Sequence, residues 1–183
     1  GYSPSVGRSV QDVDEFMRHI SITSGVAMND IIIIAQSVAA VLIATWVHDY
    51  APKIRGMILV SPAFKVKLYV PFAEPSLRVM AKLRGNFFIQ SYVKANMLTH
   101  DKQRAQSYDT DPKIAKAISV RMLLGLYDAS KRIVADAQNI FVPTQVLCSG
   151  SDFVVFQKPQ QQFYQKLPHP KKEFHILDGF FHD

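Results

Sequence analysis

The sequence predicts an α/β protein: a mostly parallel sheet flanked by helices and interrupted by a helical insertion. Three observations predict it. A run of four isoleucines at 31–34 suits a buried strand, and strand character recurs at 54–60, 142–149 and 172–177, as a parallel sheet requires. Helical apolar stripes stand between several of them, and that alternation argues for a sheet covered on both faces. From 63 to 136 the alternation stops and helical stripes follow one another instead. An insertion of this kind belongs above the carboxyl ends of the strands, where ligands bind in open sheets. The core is therefore expected at 1–61 and 140–183, with a helical cap at 62–139.

Each element has its own signal. Ser9 can cap a first helix reaching about Ile22, with Val10, Val13, Phe16, Met17 and Ile20 as its apolar stripe. A loop with Gly25 and Asn29 leads to the strand at 31–35, where four isoleucines suit a pleat better than a helix opening. The apolar stretch from Ile31 to Val47 approaches membrane-spanning length. Gln36 and Ser37 interrupt it, so it reads as buried strand, sharp turn and buried helix. That helix ends near Pro52, and the next strand is stopped by Ser61-Pro62. In the insertion, helical stripes are expected at 77–83, 87–98, 101–108, 114–126 and 130–137, punctuated by Pro71, Pro75, Gly85 and Pro112. Strand character returns at 142–149. A helix near 159–167 and a last strand at 172–177 close the order, with the turn Asp178-Gly179 after them.

Composition bounds the chemistry. Across 183 residues, apolar types make up 48% and charged types 20%, a globular balance. One cysteine, Cys148, excludes an intramolecular disulfide framework and any cluster built on several cysteines. No spacing of His, Asp and Glu suggests a metal site, and no cofactor is implied. The net charge is +6, and residues 62–139 hold 13 basic against 6 acidic side chains. These lie scattered among apolar residues, without the basic blocks or stacking aromatics of a nucleic-acid groove, so no nucleic acid is expected. A basic cap leaves open contact with an anionic membrane surface. The chain opens at Gly1 without Met and closes straight after a motif, which reads as an excerpt of a longer protein. No signal peptide is visible, and the expected location is cytoplasmic.

The chemistry centres on Ser37. A serine hydroxyl needs a base within hydrogen-bond reach, itself oriented by a carboxylate. A strand–serine–helix turn exposes the hydroxyl and points the next backbone N–H, that of Val38, at a developing oxyanion. Ala35 and Ala39 stand where small residues let strand and helix approach. A serine capping any buried helix gives a similar pentapeptide, so the case needs its partners. Asp152 follows one late strand through a Gly-Ser turn, and His182 follows the last strand after Gly179-Phe-Phe. The order Ser, Asp, His puts all three at carboxyl ends of strands. Asp152 also fits an Asx turn, and His175 is a competing base inside the last strand. His48, beside Asp49, reads as a helix C-terminal cap. His19, His100 and His169 read as surface residues.

Gly1-Tyr-Ser with the Asp12 helix, Ile34-Ala-Gln-Ser37, Ile58-Leu-Val-Ser-Pro62, Asp109-Thr-Asp-Pro112, Gly150-Ser-Asp152 and Gly179-Phe-Phe-His-Asp183 together resemble the monoacylglycerol lipase/lysophospholipase-like branch of the α/β-hydrolases, also called serine aminopeptidase-like. The resemblance runs along nearly the whole chain. It implies a helical cap between the sixth and seventh strands and carboxylester substrates with an acyl chain lodged beneath it. Gln36, Phe87, Phe88, Tyr92, Met97 and Leu123 are then candidate substrate contacts. Two departures stand out: alanines flank the serine, and the earlier strands and the His-Gly loop that gives a second oxyanion donor in the family are absent here. Without those strands the one at 31–35 has an open edge, which leaves homodimer pairing open. The expected function is a Ser-His-Asp esterase working through an acyl-enzyme. The alternatives are a non-catalytic module binding lipid or a partner, and a triad enzyme cleaving thioesters or peptides.

Overall fold

The computed structural model describes residues 3–183; Gly1 and Tyr2, which open the family-like pattern, lie outside them. Helix α1 spans Val6–Ser24, and its cap is Ser5, whose hydroxyl accepts from the Arg8 N–H. Ser9, the expected cap, lies inside the helix and bonds the Ser3 hydroxyl instead. Strand β1 (Ile32–Gln36) runs into α2 (Ser37–Tyr50), and β2 (Gly56–Val60) follows. Strand β5 (Thr144–Ser149), helix α7 (Gln157–Lys166) and β6 (Lys172–Leu177) complete the core, with the remaining elements lying between β2 and β5. All three pairings in the order β1-β2-β5-β6 are parallel.

That order explains a departure from expectation. A parallel sheet was expected to be covered on both faces. Here strand order never reverses, so right-handed crossovers all place their helices on the same side. The core joins α1 and α2 to Ile33, Ala35, Met57, Leu59 and Val146 of the strands. The alternate residues of β1, Ile32 and Ile34, point the other way and are 53% and 70% exposed. Trp46 of α2 is fully buried, and its indole N–H donates to Asp14 of α1.

The insertion is less helical than its pattern predicts. It contributes α3 (Ala73–Arg84), β3 (Phe88–Gln90), the short α4 (Ala95–Leu98), α5 (Lys102–Thr110), β4 (Ala117–Ser119) and α6 (Val120–Ala135). The helix expected over 87–98 is reduced to α4 at its end, and Phe88–Gln90 form instead an antiparallel strand in which Ile89 faces Ile118. Aromatic and β-branched residues favour a pleat over a helix, and here that preference outweighs the helical spacing. The stripes at 114–126 and 130–137 belong largely to the single helix α6, capped by the Ser119 hydroxyl on the Met122 N–H. Leu126, Ala129 and Ile133 put α6 into the main core. By contrast, α3 and α5 bury no residue. Among the described residues no helix is long and apolar enough to cross a membrane.

Candidate active site

Four loops meet at the carboxyl ends of the strands, and the site is built on three of them. Ser37 stands where β1 becomes α2, with a φ of 54°. Side chains other than glycine avoid this left-handed region, so the turn is strained and holds the hydroxyl clear of both elements. Ala35 is buried beneath the core helices, as a close approach requires. Ala39 is exposed, so the packing around the described residues makes no demand for a small side chain there. Val38 lies in the first turn of α2, where N–H groups have no intrahelical acceptor.

Asp152 follows β5 and is 5% exposed. Its Oδ1 accepts from the N–H groups of Val154 and Val155 at 2.6 and 2.9 Å. Its Oδ2 lies 2.7 Å from His182 Nδ1. The Asx-turn reading and the orienting role thus hold together, one for each carboxylate oxygen. Burial opposes the charge on Asp152. The hydrogen bond and charge of His182 and the two backbone N–H groups outweigh it and keep the carboxyl below its ordinary range.

His182 follows β6, is 4% exposed, and brings Nε2 to 2.8 Å from the Ser37 Oγ. An ionised carboxylate only accepts, so Asp152 selects the tautomer with the proton on Nδ1. Nε2 is then left to accept from the serine hydroxyl. Sequence reasoning placed all three side chains, and the structure joins them in one hydrogen-bonded chain. The competing His175 is exposed on β6 and pairs with Glu173. His48 lies in the last turn of α2, bonded to Asp49, which also takes both terminal nitrogens of Arg132.

Backbone geometry shapes the surrounding loops. The turn after β5 passes so close to the end of β6 that a Cβ on Gly150 would lie 2.8 Å from the Leu177 carbonyl oxygen. Glycine is required there. The Gly150 and Ser151 N–H groups donate to the Leu177 and Phe180 carbonyls, lacing the Asp152 loop to the His182 loop. Phe181 packs edge-on against Phe153 and His100. The Lys67 ammonium donates to the Asp152 carbonyl at 2.6 Å. Burial, with the Asp152 charge nearby, pushes the Cys148 thiol up to about 11, so it is an inert strand residue. Among the described residues no cluster of His, Cys, Asp and Glu could hold a metal ion.

The remaining candidates scatter. The Gln36 amide donates to the loop of His182 at 2.9 Å. Tyr92 uses its hydroxyl on the Lys67 carbonyl, and Phe88 lies on β3 with 57% exposure. Phe87 accepts from the Val120 N–H through its carbonyl. Met97 packs at the margin of the core, and Leu123 lies in α6. A cavity of about 870 Å³ is lined by Phe64, Lys65, Tyr127, Lys131 and Phe156 among others, and by none of these candidates. A smaller one of about 490 Å³ reaches Asp152, between Lys67, Gly150 and Phe156. Sequence reasoning missed Lys67 and Phe181, since neither carries a spacing signal.

A buried carboxylate, an imidazole and an elbow serine at the ends of parallel strands define the α/β-hydrolase class. Residues 1–183 match the serine aminopeptidase S33 family, and the chain belongs to it. It is 58% identical over its full length to the uncharacterized protein YnbC of Escherichia coli, covering 31% of that protein. It is 22% identical over 136 residues to a putative monoglyceride lipase of Schizosaccharomyces pombe, covering 71% of this chain and 35% of the relative. The chain thus spans about a third of these curated relatives. The fold matches the crystal structure of a monoacylglycerol lipase from Paleococcus ferrophilus with a TM-score of 0.86 at 17% identity, over 98% of this chain and 67% of the other. It also matches a soluble monoglyceride lipase variant from Saccharomyces cerevisiae, with a TM-score of 0.78 at 15% identity, over 97% and 61% of the two chains.

Proposed function

We propose that the chain carries the reacting residues of a serine esterase whose substrates are single-chain acyl esters of the monoacylglycerol or lysophospholipid kind. The observation that carries the reading is the unbroken line Ser37 Oγ–His182 Nε2, His182 Nδ1–Asp152 Oδ2, with both links under 3 Å. In this reading Ser37 attacks the ester carbonyl while His182 takes its proton. The Val38 N–H and the start of α2 receive the oxyanion. His182 then protonates the departing alcohol and activates water to free Ser37 from the acyl group. Asp152 fixes the ring tautomer and stabilises the imidazolium.

The segment 62–139 acts as the lid over this edge, with α6 as its fixed wall and α3 to β4 as its outer part. Its net positive charge faces anionic lipid surfaces in this reading. The setting in this reading is cytoplasmic. Similarity to a putative monoglyceride lipase supports esters over other acyl groups. The same attack on a thioester or an aminoacyl amide is the second reading, favoured by the aminopeptidase membership of the family. A non-catalytic lipid-binding module is the third. Rates on glyceryl esters of increasing acyl length, a matched thioester and an aminoacyl amide decide among them. Preference for medium or long monoacyl esters, lost in Ser37→Ala, supports the proposal; preference for the amide, or no turnover of any ester by the intact protein, overturns it.

A further inference from the structure

We infer that Gln36 is a positioning residue for the base, fixing the distance between Ser37 and His182 by holding the backbone on which the imidazole is carried. This rests on the esterase reading but can fail separately from it. His182 belongs to a segment after β6 with no regular structure, so its own ladder does not locate it. Asp152 grips one ring nitrogen at 2.7 Å. A ring held at one nitrogen can still swing with its backbone.

Gln36 removes that freedom. Its Nε2 donates to the His182 carbonyl at 2.9 Å and to the Asp183 Oδ1 at 3.1 Å, spending both amide protons on the loop of the base. The Asp183 N–H in turn donates to the Leu98 carbonyl at the end of α4, and Phe180 accepts from the Ser151 N–H. The loop is thereby tied on three sides. Gln36 is the last residue of β1 and the immediate neighbour of Ser37. Nucleophile and base are thus referenced to one rigid strand end, with β1 in register beside β2 from Ile32 to Gln36. The arrangement needs donors: the two atoms facing the amide nitrogen are a carbonyl oxygen and a carboxylate oxygen, both acceptors. A near-isosteric glutamate would fill the same space and present oxygen to both.

Two readouts on the intact protein test this. One is the pH profile of the rate at which a fluorophosphonate labels Ser37. The other is the downfield proton resonance of the His182 Nδ1–H in its bond to Asp152, which needs no turnover. Gln36→Ala is expected to slow labelling about 10- to 100-fold, the scale of a misplacement near 1 Å, and to broaden the Nδ1–H signal at unchanged thermal midpoint. Gln36→Glu is expected to slow it at least as much and to move the acid limb of the profile to higher pH, since the added carboxylate favours the imidazolium. Gln36→His, which keeps an N–H donor, is expected to recover part of the rate. Labelling and resonance unchanged in Gln36→Ala, or restored by Gln36→Glu, would overturn the inference while leaving Ser37 as nucleophile. Absence of labelling in the unaltered protein would instead defeat the esterase reading, and the Nδ1–H signal alone would then decide the role of Gln36.

Discussion

The strand ends and the outer cap differ in how they are held. At the strand ends, Asp152 and His182 are buried and joined by a 2.7 Å hydrogen bond. In the cap, α3 and α5 bury no residue, and α3 is tied to α6 by the exposed Arg78–Asp128 and Lys131–Glu74 pairs. The first region is fixed by the sheet, whereas in the second α3 packs on α6 and α5 on α4. Chemistry that tolerates little misplacement is therefore expected on the strands, and tolerance to substitution in the cap.

The contrast should appear in mutants. Asp152→Asn is expected to lower turnover by about 10³–10⁴-fold, because it selects the wrong imidazole tautomer; steady-state kinetics check it. Gly150→Ala, which drives a Cβ into the Leu177 carbonyl, is expected to cost about 1–3 kcal/mol by urea denaturation and to reduce activity as the two loops separate. Arg78→Ala in the cap should cost less than about 1 kcal/mol, as exposed ion pairs do. If the Arg78 change proves the larger of the two, the ranking of the regions is reversed.

Acid should separate them further. The Lys131 and Arg78 hydrogen bonds hold Glu74 below its usual range, and the Arg132 bond does the same for Asp49. Asp152 is also depressed, although burial opposes it. A carboxylate with a lowered folded value stabilises the fold fully above its unfolded value, 4.5 for Glu74 and 3.8 for the aspartates. That stability is lost as pH falls through the lower folded values. Urea midpoints should therefore stay level from neutral pH down to about 5 and fall below it. High salt should weaken the half-buried Glu74 and the more exposed Asp49 contributions and spare the buried Asp152. The smallest effect is expected for Ile34→Lys on the uncovered sheet face, within about 0.5 kcal/mol for the monomer, with any self-association by sedimentation reduced.

The same divide governs what the sequence reveals. Ser37, Asp152 and His182 each follow a strand of the parallel sheet, so their placement came from the order of elements. Strand β6 lies at 172–177, as its pattern indicates. Where packing is thin the pattern misleads: Phe88, Ile89 and Ile118 have helical spacing, yet pair as strands. The one-sided sheet follows from strand order, which periodicity does not encode. The role of Gln36 depends on a contact 146 residues away along the chain, beyond the reach of any local spacing.

The most direct test of the account is to treat the intact protein with a fluorophosphonate and map the adduct by peptide mass spectrometry. A single adduct on Ser37, absent in Ser37→Ala and strongly slowed in His182→Ala, is the predicted result. An adduct on another serine, or none under conditions where the protein remains folded, would contradict it.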